Sequence, residues 1–133
     1  MRALLDTDVV VAAVLFPGSP RSLLERAIRG DVDLVTSPGL LEELERALTD
    51  DLRFPPELAR MVRAELEDLS EVIGPAGAST ATGGPDDDPV LATAAAGGAD
   101  AIVTGDPDLL ALEVHRGTPI LAPAGFWSLG SER

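Results

Sequence analysis

Short apolar runs alternate along the chain with longer segments of helical period. Ala3-Leu4-Leu5 runs into Asp6 and reads as a short strand ending in an acid. Phe16-Pro17-Gly18 reads as a helix end and turn. Residues 20–29 place Leu23, Leu24, Ala27 and Ile28 on one helical face, with Gly30 as the stop. Residues 33–36 form a second apolar strand, after which Ser37-Pro38 supplies an N-cap and a first-turn proline for a helix through Leu48. Pro55-Pro56 opens another helix, with Leu58, Met61, Val62 and Leu66 at helical spacing. Residues 71–73 suggest a third, weaker strand, residues 101–104 a fourth and residues 119–121 a fifth. Residues 89–96 form a small-residue helix stopped by Gly97-Gly98, and residues 108–113 a short one. No internal repeat is visible.

Strands with nearly all-apolar centres, alternating with helices, predict an α/β protein: a three-layer α/β/α sandwich on a central parallel sheet of four to five strands. The segment 74–85 contains only Gly, Ala, Pro, Ser and Thr and has the composition of a linker. Too few residues follow it for a second domain, so it reads as a functional loop within a single domain spanning 1–133. No apolar run approaches membrane-spanning length, and Asp6 and Asp8 interrupt the apolar N-terminal stretch where a secretion signal would be uninterrupted. The expectation is a soluble, cytoplasmic protein.

Composition narrows the chemistry. The 133 residues carry a formal net charge of −13, and the chain has no Cys, one His (His115) and no Lys, all ten basic residues being Arg. Thiolate metal sites, Cys nucleophiles, a Lys Schiff base and a phosphate-binding Lys are thereby excluded. A broad basic face for nucleic acid is also excluded. Carboxylate is what remains.

The acids fall where an α/β sheet places its ligands, at the carboxyl ends of strands. Asp6 ends the first strand, with Asp8 two residues on; Asp106 follows the fourth strand, with Asp108 two residues on. Asp86, Asp87 and Asp88 stand at the start of the small-residue helix that Gly97-Gly98 stops, and Glu42 and Glu43 lie one turn into the helix after strand two. Of that pair, Glu43 sits at the border of the Leu40, Leu44, Ala47 and Leu48 stripe. Singly, each has a structural role open to it: Asp86–Asp88 and Asp108 as helix caps, Glu42 as a partner of Arg46. As a set they repel, and a cluster of four carboxylates without His or Cys suits Mg2+ or Mn2+, not Zn2+.

LLDTDVVVAAVL, SPGLLEELERAL, DDDPVLATAAAGGADAIVTGDPDLLAL and the ending PILAPAGFW together resemble the PIN domain, in the right order over nearly the whole chain. The most similar branch comprises toxin components of toxin–antitoxin pairs. The resemblance implies a metal-dependent ribonuclease using Mg2+ or Mn2+, with an RNA substrate, a cognate antitoxin protein as partner and a tendency to dimerise. By position, the family acids fall on Asp6, Glu43, Asp87 and Asp106, with Asp88 the alternative to Asp87 and Asp108 an outer or fifth acid. One departure is Asp8, where the family usually has Asn.

Two other readings use the same residues. Asp6-Thr7-Asp8-Val9-Val10, with Gly105-Asp106 and Asp108, resembles a haloacid-dehalogenase-type phosphatase, although the Lys that would steady a phosphoryl group is missing. A catalytically inactive PIN-like binding module is the non-enzymatic reading. On the nuclease reading, an acidic protein holds RNA by a local Arg strip, drawn from Arg21, Arg26 and Arg29 or from Arg46 and Arg53. Trp127 and Phe126 read as packing, and His115 as a surface residue.

Overall fold

The computed structural model describes residues 1–74 and 88–126. Strand β1 (Arg2–Leu5) leads into α1 (Thr7–Leu15) and α2 (Ser19–Ile28). Then come β2 (Asp33–Thr36), α3 (Pro38–Arg46), a π-helical turn (Ala47–Asp51), α4 (Pro56–Leu69) and β3 (Ser70–Val72). The last part holds α5 (Pro89–Gly97), β4 (Ala101–Val103), α6 (Pro107–Leu110), β5 (Val114–His115) and β6 (Thr118–Leu121). No helix among the described residues is long and apolar enough to cross a membrane.

Among the described residues six strands form one sheet in the order β3-β2-β1-β4-β6-β5, parallel except for the antiparallel β5–β6 pair. The sheet therefore has one more strand than the apolar pattern indicates. Strand β5 is two residues long, too short to show any period, and a tight turn brings it into the sheet. His115 pairs with Thr118, and the two residues between them, Arg116 and Gly117, both have positive φ, 51° and 83°. That is the backbone of a type I′ hairpin, whose twist suits the flanking strands. The helix expected through Leu48 also changes form, leaving α geometry after Arg46.

Alternation along the strands divides the core between two faces. Ala3, Leu5, Leu34, Ala101 and Val103 pack against α1 to α4 through residues such as Val10, Leu23, Leu44 and Leu66. Leu4, Ile102 and Ile120 pack the other face against Leu91 and Ala94 of α5 and Leu109 of α6. Helices on both faces complete the three-layer sandwich, and burial on both sides is why the centres of β1, β2 and β4 contain no polar residue.

The helix on the second face comes unusually near the sheet. A Cβ on Gly97 would stand 2.6 Å from Val35 Cγ1 and 2.9 Å from Ile73 Cγ1, so only glycine fits the last turn of α5. Gly98 then ends the helix in the left-handed conformation, φ 63°. Arg2 closes the same end, its guanidinium donating to Gly97 O at 3.0 and 2.7 Å and pairing with Glu71 at 2.8 Å. The strands' amino ends are thus tied down, and their carboxyl ends are left open. Gly97→Ala is expected to lower unfolding free energy by about 1–3 kcal/mol through overpacking. Gly39→Ala, in a helix with nothing within 4 Å of the added methyl, should be neutral or stabilising by comparison. Urea denaturation of the two variants beside the parent checks both.

Candidate active site

Sheet order sets where a site can form. From β1 the chain moves outward to β2 and β3, then returns through β4 on the other side of β1. Strand order reverses between β1 and β4, and the crevice outside their carboxyl ends is where open α/β sheets bind ligands. Asp6 directly follows β1, and Asp106 follows β4 through Thr104 and Gly105.

The two are joined through one hydroxyl. Thr104, wholly buried, donates from Oγ1 to Asp6 Oδ2 at 2.7 Å and accepts the Asp106 N–H at 3.0 Å. The other Asp6 oxygen accepts the Thr7 N–H at 2.7 Å, so a carboxylate only 9% exposed has a donor on each oxygen. Asp106 begins α6 in the same manner, its Oδ1 accepting the Asp108 N–H at 2.9 Å. Both acids are helix N-caps, stabilised there by free N–H groups and the positive end of the dipole.

Asp8 approaches from α1. Its Oδ2 accepts the Gly105 N–H at 3.0 Å, and a Cβ at position 105 would lie 2.6 Å from that oxygen, so the contact requires glycine. Burial pushes the Asp8 carboxyl above its usual range, and the charges of Asp6 and Asp106 push it further; the N–H groups of Gly105 and Val9 work the other way.

These acids open onto a cleft of about 530 Å3. Glu43 lines it with Asp6, Asp8 and Asp106. It is exposed, while its neighbours Leu40, Leu41 and Leu44 enter the core. A fifth acid, Asp51, reaches the cleft from the π-helical turn, where the sequence pattern gives no warning of it. Among the described residues no Arg or His lines this cleft.

The other expected ligands are Asp87, its alternative Asp88, and Asp108. Asp86 and Asp87 lie outside the described residues. Asp88 caps α5, its Oδ1 accepting the Val90 N–H at 2.8 Å, and does not line the cleft. Asp108 is exposed and contributes its backbone N–H to Asp106. The all-oxygen donor set suits a hard cation. Among the described residues, however, no three acids stand in a ready metal-binding arrangement.

The expected Arg strip is dispersed. Arg21 donates to the carbonyls of Ala13 and Val14 at the end of α1, at 2.9 and 3.0 Å. Arg29 faces Asp31 at 3.8 Å on the surface. Arg53 is exposed with a left-handed backbone, φ 59°. Arg46 lines a second, smaller hollow of about 220 Å3 with Glu42, Glu45, Thr49 and Arg63. There Arg63 pairs with Glu45 at 3.0 Å.

An α/β sandwich with a carboxylate-lined cleft at its topological switch point is the class of protein defined by this geometry. More narrowly, a PIN domain model matches residues 2–108, and the chain belongs to the PIN domain family. That match displaces the phosphatase-type likeness of the Asp6–Val10 segment. Among solved structures, the chain is similar to one from "VapBC2 from Rickettsia felis bound to a DNA fragment from their promoter". The TM-score is 0.60 at 18% identity, covering 90% of this chain and 97% of the other, a likeness of fold. No curated protein matches the chain.

Two measurements test the electrostatics. Thr104→Val removes the hydroxyl from both Asp6 and Asp106 and is expected to destabilise the fold by about 1–3 kcal/mol. Thr104→Ser should recover most of that loss. Asp8 gives a pH signature. Its folded-state pKa lies above the ordinary 3.8, so the ionised side chain opposes folding at neutral pH, and that opposition vanishes once both states are protonated in acid. Asp8→Asn should therefore stabilise the metal-free protein at pH 7, with the gain shrinking as pH falls through the carboxylate range. Chemical denaturation in a chelator at several pH values reads this directly.

Proposed function

We propose that the protein is a Mg2+- or Mn2+-dependent ribonuclease and the toxin of a toxin–antitoxin pair. The observation that carries this reading is the meeting of Asp6, Glu43 and Asp106 in one cleft, with Asp8 beside them and no basic side chain among its described lining. Carboxylates gathered without a counter-charge suit a cation better than an anion or a neutral ligand.

In this reading Asp6, Glu43, Asp106 and, from beyond the described residues, Asp87 hold the cation, with Asp88 the alternative to Asp87 and Asp108 outside the inner set. When bound, the cation supplies activation of water and neutralisation of charge on the scissile phosphate. Thr104 fixes the Asp6 carboxylate toward the cleft, and Gly105 holds Asp8 beside it. Asp8 is then placed to accept a hydrogen from the attacking water and orient it.

The net charge of −13 makes the grip on RNA local. Arg46, on the same helix as Glu43, and Arg63 across from it on α4 are the guanidiniums assigned to the phosphates flanking the cut. A cognate antitoxin is the expected protein partner, supported by the fold shared with VapBC2 from Rickettsia felis. Dimerisation and a cytoplasmic location belong to the same proposal.

The inactive binding module is the second reading. It is favoured by the lack of a ready three-acid arrangement among the described residues. Purified protein incubated with single-stranded RNA and Mn2+ or Mg2+ separates the two. Cleavage is expected, and Asp6→Asn should reduce it by several powers of ten, since the shape is kept while the anion is lost. Millimolar Mn2+ should also raise the thermal midpoint of the parent, as any ligand bound only by the folded state does. A midpoint insensitive to Mn2+, with RNA intact, would favour the binding module.

A further inference from the structure

Part of the cleft wall lies outside the set of acids assigned above to the cation. After Arg46 the helix continues as a π turn, in which the Leu52 N–H donates to Ala47 O, five residues back, at 3.2 Å. The wider turn brings Ala47, Asp51 and Leu52 to the same cleft that the acids line. Val11 of α1 lines it too, and Leu52 keeps 38% of its surface exposed although it is a large apolar side chain. Insertions of this kind are frequently found at functional sites.

Asp51 is exposed, and its carboxylate has no hydrogen bond or ion pair among the described residues. Nothing in the fold requires a carboxylate there. It repels phosphate, so it does not hold the RNA backbone. An ionised carboxylate only accepts hydrogen bonds, through two oxygens side by side. Whatever sits against it must offer donors.

We propose that Asp51, with the apolar wall of Val11 and Leu52, is a nucleobase subsite that selects guanine next to the scissile phosphate. This deepens the nuclease reading and rests on it. Single-stranded RNA exposes both the faces and the Watson–Crick edges of its bases. A base face lies against Val11 and Leu52 while its edge meets Asp51. Guanine alone presents two adjacent donors on that edge, N1–H and the N2 amino group, matching the two carboxylate oxygens. Adenine and cytosine present one amino group each, and uracil one imino group.

The test uses the full chain with Mg2+ and the four nucleoside 5′-monophosphates as probes, beside single-stranded RNAs differing at one position. GMP is expected to bind about tenfold or more tighter than AMP, CMP or UMP, the discrimination that one bidentate contact gives. Asp51→Asn should abolish that preference, because the amide keeps one acceptor and turns a donor toward guanine. It should leave the stabilisation by Mn2+ intact. Equal or absent binding of the four nucleotides overturns the subsite, as does a GMP preference that survives Asp51→Asn. Loss of the Mn2+ response in Asp51→Asn also overturns it, by making Asp51 a metal ligand. GMP preference with RNA left uncut keeps the subsite and removes the nuclease reading, whereas RNA cut without base preference does the reverse.

Discussion

A carboxylate buried at the end of the first strand is the constraint around which the rest of the site is arranged. Asp6 is largely shielded from water, and among the described residues no cationic side chain lies beside it in the cleft. An isolated charge so placed is strongly unfavourable unless hydrogen bonds replace its hydration. Thr104 and the Thr7 N–H provide them, one from each neighbouring segment at the sheet's switch point. Because Thr104 also receives the Asp106 N–H, the group that satisfies one acid sets the backbone of the next. Satisfying the first carboxylate therefore aligns the second.

Helix starts do the same on a larger scale. Asp6, Asp88 and Asp106 are the N-caps of α1, α5 and α6, each accepting an N–H from its own first turn. A helix beginning carries a partial positive charge, which offsets part of the repulsion among acids. Capping and a functional role are commonly weighed as alternatives for an Asp at such a position. For Asp6 and Asp106 the cap is the device that makes the gathering of charge tolerable.

Much of this was legible in the residues. Apolar strands ending in acids indicated a parallel sheet with its site at the carboxyl ends, and the stripe on α3 pointed Glu43, not Glu42, toward the cleft. Three things were not legible. Strand β5 has only two residues and depends on the Arg116-Gly117 turn, so no period announces it. The π turn is announced by no periodic residue pattern, and it brings Asp51 and Leu52 into the cleft. Thr104 looks like an ordinary strand end until its two hydrogen bonds are seen, since a hydroxyl has no periodic signature.

Among the described residues, the outermost strands of the sheet, β3 and β5, have three and two residues. An unpaired strand edge is a template for another chain, and its length sets how many backbone hydrogen bonds a newcomer gains. Edges this short offer few rungs, so lateral growth of the sheet from molecule to molecule gains little at either side. Association of this protein with itself or with others is thereby directed to side chains on its helices, where recognition depends on sequence and not on backbone alone.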